Sequence, residues 1–240
     1  MQGSNSTILV VNDIGRHDAL IVEGFVPLKE RSERLKDKNF QMLGNHPLYE
    51  HIISTLCEVP SIDNVSVFTS SVRFKNELEH SHKKLNFIDR PRYLDLDSAS
   101  ITDVIFEFCS VSKADVIVLA HATSPFLSSK TISFCVDAVA SGEYDSAFAV
   151  IRLKKFIWFN GKPINYDLDK PIPRTQDLPE LLVEQSGLYV FNREDFMNTK
   201  RRIGINPMHH VVDESEGIDI DDHFDLTLAK EILGTTGSLS

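Results

Sequence analysis

Five apolar residues in succession, Val116-Ile117-Val118-Leu119-Ala120, follow Ala114-Asp115 and stop at the polar turn His121 to Pro125. A run this short with no polar face reads as a strand buried on both sides, at the centre of a parallel sheet. Such a strand needs helices above and below it. One stands directly before it: Ser100 to Val111 carries Ile101, Val104, Ile105, Phe108 and Val111 at helical spacing. Ser100 and Asp103 have the spacing of a capping box, with Asp replacing the usual Glu.

The rest of the chain repeats this alternation. Ala19 to Leu28 reads as the first core strand, and Pro47 to Val59 as a helix with Pro47 in its first turn. Val65 to Thr69 is a short strand, Arg73 to Lys84 a polar surface helix, and Leu85 to Ile88 a further strand. A helix starting near Ser128 or Ser129, strands over Ala147 to Val150 and Leu188 to Phe191, a brief strand end over Ile218 to Asp221 and a last helix over Phe224 to Leu233 complete the pattern. Strands alternating with helices define an α/β fold with a doubly wound, mostly parallel sheet. Residues 151–180 break the pattern. Phe156, Trp158 and Phe159 precede Asn160-Gly161, a hairpin turn signal, so a small antiparallel excursion is expected there. A length of 240 residues suits one large domain over 19–234, with an extension over 1–18 and a tail over 235–240.

The net charge of −10 argues against nucleic acid as a partner, which calls for a basic face. It leaves an anionic substrate open, because local cations and a metal ion outweigh a global charge. No run of about 18 apolar residues suggests a membrane span, and no basic leader with an apolar core suggests export. Cys57, Cys109 and Cys135 are sparse and form no CxxC pair, which suits a reducing cytoplasm and buried thiols.

In doubly wound sheets, ligands sit outside the carboxyl ends of the strands. Two segments at such ends hold chemistry on local grounds. The loop Lys29 to Asn39 has five cations and directly follows the first strand. Cations and backbone N–H groups at a strand end are what a triphosphate needs, although a solvated charged loop looks the same in sequence. In Gly217-Ile218-Asp219-Ile220-Asp221, an extended backbone places both aspartates on one face and both isoleucines on the other. Two carboxylates so placed suit Mg²⁺, which takes one or two carboxylates plus water and phosphate oxygens. The rival reading is a cap for the helix that follows.

Pro27-Leu28-Lys29-Glu30-Arg31-Ser32-Glu33-Arg34-Leu35-Lys36-Asp37-Lys38-Asn39 resembles the nucleotide-binding signature of the cytidylyltransferases that make CMP-sialic acid and CMP-KDO. Arg90-Pro91 to Ser100, Thr123-Ser124-Pro125, Pro173-Arg174-Thr175-Gln176-Asp177-Leu178-Pro179, and the run from Ile218 through Asp225 to Ala229 match further segments of that family in order. The resemblance implies a Rossmann-like nucleotidyltransferase fold, Mg²⁺ as cofactor, CTP and an acidic sugar as partners, and a homodimer built through the excursion. It implies nucleotide contacts at Pro27, Leu28, Lys29, Ser32, Arg34, Lys38, Asn39, Arg90, Thr123 and Ser124, with Lys38, Asp219 and Asp221 in the catalytic set. Asp219 and Asp221 would hold the metal, with Asp225 in support.

On the acceptor side the resemblance implies His121, Arg174, Gln176, Gln185 and Tyr189. His121 stands where the family has Gln, and Gln185 where it often has Asn. Glu30-Arg31 replaces the Gly-Gly of the sialic-acid version, and Glu33 stands at a basic position. The implied reaction is transfer of CMP from CTP to a 2-keto acid sugar with release of pyrophosphate. KDO, another acidic metabolite, or nucleotide binding without catalysis are the alternatives. Tyr189 would serve equally as strand core, while Arg201-Arg202 and His209-His210 read as surface pairs.

Overall fold

Strand β1 (Val22–Leu28) is flanked by two strands that run parallel to it, β4 (Asn64–Thr69) on one side and β6 (Val116–Ala120) on the other. This computed structural model describes residues 20–32, 34–78 and 81–236. The expected extension over 1–18, Glu33 and the end of the tail lie outside the described residues. β5 (Leu85–Asp89) extends the sheet parallel to β4. The chain thus steps outward from β1 through β4 to β5, then returns to pair β6 with the opposite edge of β1. That reversal opens a crevice at the carboxyl ends of β1 and β6.

Beyond β6 lie β10 (Leu181–Asn192), β7 (Ser146–Leu153) and β11 (Pro207–Val211), giving a seven-stranded sheet of order β11-β7-β10-β6-β1-β4-β5. β10 runs antiparallel to both of its neighbours, and the other four pairings are parallel. Two small hairpins complete the strands: β2 (Met42–Leu43) with β3 (His46–Pro47), and β8 (Trp158–Phe159) with β9 (Lys162–Pro163). The second pair is the hairpin signalled by Asn160-Gly161, both of which have positive φ.

Helices cover both faces, as the buried run required. Val116, Val118 and Ala120 pack with α1 (Leu48–Glu58), α2 (Val72–Leu78) and α4 (Ser129–Ala140). Ile117 and Leu119 pack on the other face with α3 (Ile101–Val111) and α5 (Arg193–Thr199). A third cluster joins α6 (His223–Thr236) to Leu35, Leu43, Phe126 and Ile220. The capping box at Ser100 and Asp103 forms as its spacing predicts, and Ser128 caps α4 through the Thr131 amide. Cys109 and Cys135 are buried, Cys57 is half-buried, and all three are free thiols. Burial raises each thiol, Cys57 to about 11.

Four expectations need correction. Helix α2 ends at Leu78, well short of Lys84, and residues 83–84 form a turn. Pro47 is the N-cap of α1 and lies outside its first turn. Ile218 to Asp221 joins no strand; one bond from the Ile220 amide to the Thr123 carbonyl (2.8 Å) holds it to the turn after β6. Helix α6 continues to Thr236, past the expected start of the tail.

Candidate nucleotide and acceptor site

The loop after β1 returns on itself before the β2–β3 hairpin begins. The buried Asn39 amide donates to the Lys29 carbonyl (2.8 Å) and so ties the loop's two ends together. Asp37 adopts a left-handed backbone to make the turn. Closed in this way, the loop aims Lys38 and Arg34 at one carboxylate: Asp221 lies 3.1 Å from the Lys38 ammonium and 3.0 Å from the Arg34 guanidinium. Lys29 pairs with Asp97 at 2.7 Å. Glu30 turns aside and accepts a bond from the Ser71 hydroxyl at 2.7 Å.

A cleft of about 280 Å³ lies between this loop and the turn after β6, lined by Lys29, Ser32, Arg34, Lys38, Thr123 and Asp221 among others. A second cleft of about 400 Å³ opens on the α3 side, with Arg90, Leu94, Ile101 and Val104 on its walls. Pro27, Lys29 and His121 border both. His121 is thus the partition. Burial, with smaller contributions from Arg202 and Lys38, pushes its pKa down to about 4 against the pull of Asp219, so the imidazole is neutral at pH 7.

In the aspartate segment the capping falls to Asp222 and Asp225. Asp222 accepts from the amides of Phe224 and Asp225, while Asp225 accepts from the amides of Asp221 and Asp222. This reciprocal pair caps α6. Asp219 and Asp221 are therefore free of that duty. One Asp219 oxygen accepts from the Ser186 hydroxyl at 2.7 Å, and the other is buried without a hydrogen-bond partner. A buried carboxylate oxygen lacking a donor is unfavourable until a cation or donor reaches it. Among the described residues no three His, Cys, Asp or Glu side chains form a cation cage. Two carboxylates completed by phosphate oxygens and water are what Mg²⁺ accepts.

The residues singled out in sequence do not all converge. Ser124 is fully buried, and its hydroxyl accepts from the Gln185 side chain (2.8 Å), whose own oxygen holds the Gly187 amide (2.9 Å). Both residues brace the rim from beneath. A Cβ at Gly187 would stand 2.1 Å from the Ser124 hydroxyl oxygen. Gly187→Ala should accordingly destabilise the fold by about 1–3 kcal/mol, the usual range for overpacking. Thermal melting would show it, and an unchanged Tm would mean that the turn yields freely.

Arg90 is buried, faces Asp95 at 3.1 Å and donates to the Leu94 carbonyl. Burial lowers its pKa, with Asp95 opposing. Arg174 and Gln176 are exposed on the excursion, where Arg174 forms a two-nitrogen pair with Asp177 (2.7 and 3.1 Å). Neither lines the two clefts.

One expectation at the site reverses. Arg202, read from sequence as surface, is half-buried with its guanidinium 3.8 Å above the Tyr189 ring, and it bonds the Tyr189 hydroxyl at 3.0 Å. Its neighbour Arg201 is exposed, as is His209, while His210 is half-buried beside Phe134. Ser186 and Glu184 also escaped notice. A two-residue alternation would have placed Glu184, Ser186 and Leu188 on one face, but the register of β10 shifts between Glu184 and Tyr189.

The cytidylyltransferase family pattern matches residues 24–230, and the chain belongs to that family. It is 25% identical over 213 residues to the N-acylneuraminate cytidylyltransferase of Escherichia coli O18:K1:H7, covering 85% of this chain and 50% of that protein. It is 26% identical over 203 residues to N-acylneuraminate cytidylyltransferase A of Danio rerio, covering 81% and 46%. The chain thus spans about half the length of these relatives. Among solved structures, a CMP:2-keto-3-deoxy-manno-octonic acid synthetase complexed with CTP superimposes with a TM-score of 0.66 at 15% identity, over 90% of this chain and all of that one. A 4-diphosphocytidyl-2C-methyl-D-erythritol synthase from Anaerococcus prevotii gives 0.66 at 12%, over 90% and 97%. These likenesses agree on a Rossmann-like nucleotidyltransferase fold.

Proposed function

We propose that this chain is a cytidylyltransferase that transfers CMP from CTP to an acidic 2-keto sugar of the sialic-acid type and releases pyrophosphate. The observation that carries this reading is the convergence of Lys38 and Arg34 on Asp221 across the 280 Å³ cleft. A triphosphate entering there meets Lys29, Arg34 and Lys38 as counter-charges at a strand-end loop. Asp219 and Asp221 are the residues that would hold Mg²⁺, and the orphaned Asp219 oxygen is the feature that fits it. Bound there, the metal supplies neutralisation of phosphate charge.

The protein's own part is positioning. The loop fixes the triphosphate, and His121 presents an uncharged imidazole to the acceptor's hydroxyls. Asn39 contributes by holding the loop closed. The oxygen of the acceptor hydroxyl attacks the α-phosphorus and gives up its proton to solvent, while the bond from the α-phosphorus to the bridging oxygen breaks and pyrophosphate departs with its electrons. The test is pyrophosphate release with CTP, Mg²⁺ and a panel of keto acids, including an N-acylneuraminate and 2-keto-3-deoxy-manno-octonic acid. Binding of CTP without release for any acid would favour the non-catalytic reading.

A homodimer formed through the excursion belongs to the same reading. Its hairpin leaves Trp158 53% and Phe159 66% exposed, with Ile164, Leu168 and Ile172 exposed nearby. Apolar groups so clustered favour an interface. Sedimentation at micromolar concentration should give a dimer, and a monomer there would remove this element. Three free thiols suit a cytoplasmic setting. Among the described residues no helix is long and apolar enough to cross a membrane.

A further inference from the structure

The acceptor of the proposed reaction carries a carboxylate, and Arg174, the residue expected from sequence to meet it, points elsewhere. It is exposed on the excursion and paired with Asp177. The other cations whose charge reaches His121 or that share its clefts can be taken in turn. Lys29, Arg31, Arg34 and Lys38 belong to the triphosphate loop, where Lys29 pairs with Asp97 and both Arg34 and Lys38 pair with Asp221. Arg90 is buried against Asp95 and the Leu94 carbonyl. Arg202 remains.

Three contacts fix Arg202. Its guanidinium carbon sits 3.8 Å above the Tyr189 ring centroid, and Nη2 bonds the Tyr189 hydroxyl (3.0 Å) and the Glu184 carboxylate (3.2 Å). Tyr189 in turn donates its hydroxyl proton to Glu184. A stacked, doubly bonded guanidinium has lost most of its rotamer freedom before any ligand arrives. Among the described residues both hydrogen bonds use Nη2, which leaves Nη1 and Nε of this half-buried side chain as further donors. The face is also the right one. Leu119 and Tyr189 pair across β6 and β10 and belong to the α3-side cluster, and the pairing continues to His121, whose amide donates to the Gly187 carbonyl (3.0 Å). The α3 side is the one on which the 400 Å³ cleft opens. Arg202 also contributes to holding His121 neutral, which places its charge close to the partition.

We infer that Arg202, held by Tyr189 and Glu184, binds the carboxylate of the acidic acceptor and sets the preference for acids over neutral sugars. The inference rests on the cytidylyltransferase reading for its acceptor class. It assigns Tyr189 and Glu184 as positioning residues, acting through Arg202.

The test compares wild type with Arg202→Met and Arg202→Lys. Each is assayed with CTP and Mg²⁺ against an N-acylneuraminate and against 2-keto-3-deoxy-manno-octonic acid, and each acid is run beside its C1 carboxamide. Arg202→Met, which keeps an apolar cover on Tyr189, should raise the acceptor KM about 30- to 100-fold while the CTP KM stays put, the scale of losing one partner of a shielded charge pair. The advantage of acid over carboxamide should vanish in it and return in part with Arg202→Lys. A purely structural role would move neither the discrimination nor its rescue. Unchanged discrimination in Arg202→Met, or parallel rises in both KM values, overturns the inference.

If wild type releases no pyrophosphate with any acid, the proposed activity fails, and Arg202 is then judged by calorimetric binding of the same acids in the presence of CTP. Weaker binding of the acids, with binding of the carboxamides unchanged, in Arg202→Met upholds it; equal binding overturns it.

Discussion

Asp221→Asn and Asp219→Asn should each cut Mg²⁺-dependent pyrophosphate release by about 100- to 1,000-fold, the range seen when a single charge-stabilising group is removed from a reaction centre. Folding should survive, because the cap of α6 is made by Asp222 and Asp225 and touches neither substituted side chain. The two variants should differ in detail. Asp221 is the shared counter-ion of Lys38 and Arg34, so its loss leaves two cations without their partner and should tighten binding of CTP lacking metal. Asp219 offers a buried oxygen with no donor, so its amide analogue should weaken the response to Mg²⁺ concentration and leave metal-free CTP binding alone. Circular dichroism and a magnesium titration of the initial rate would check both. Wild-type rates in either variant would remove that residue from the metal site.

Arg90→Met should cost about 3–5 kcal/mol of stability, the penalty for deleting one half of a shielded ion pair. Arg90, just past the end of β5, is 8% exposed, and its Nη2 donates to the Leu94 carbonyl. Asp95, which it faces, also accepts from the Ser70 hydroxyl at 2.5 Å. Removing the arginine leaves that carboxylate on one hydroxyl and frees the short helical turn 92–95 that walls the second cleft. Chemical denaturation would measure the loss. The CTP KM separates the two roles open to this residue. A pure brace lowers the midpoint of unfolding and changes the KM little at low temperature. A phosphate ligand raises the KM even where the protein is fully folded.

The sequence was most readable where local pattern and global fold agree. Val116 to Ala120 is continuous because helices cover both faces, and its residues divide between the two clusters in strict alternation. Ser100 with Asp103 declared the start of α3 for the same reason, since the bonds involved span only three residues. The loop 29–39 and the aspartate segment were legible as charge patterns with a place in the fold. What escaped depends on contacts between distant positions. Arg202 looks like surface because its partners are Tyr189 and Glu184, more than a dozen residues away. The direction of β10 leaves no mark on composition. Ser186 faces Asp219 only because the strand changes register at that point. Asn39, expected from the resemblance to contact the nucleotide, closes its own loop in this structure.

The reversed course of β10 carries one more consequence. Parallel strands deliver their working residues after the buried run, as β1 does with Lys29 to Asn39 and β6 with His121 and Thr123. An antiparallel strand reaches the same rim before its buried run, so Glu184, Gln185 and Ser186 precede the core residues Leu188 to Phe191. Two opposite polarities of chain thus meet at one seam, and His121 stands where they meet. On the proposed reading, the acceptor side can change along β10 and the Arg202 segment while the hydrogen bond that closes the loop 29–39 stays as it is.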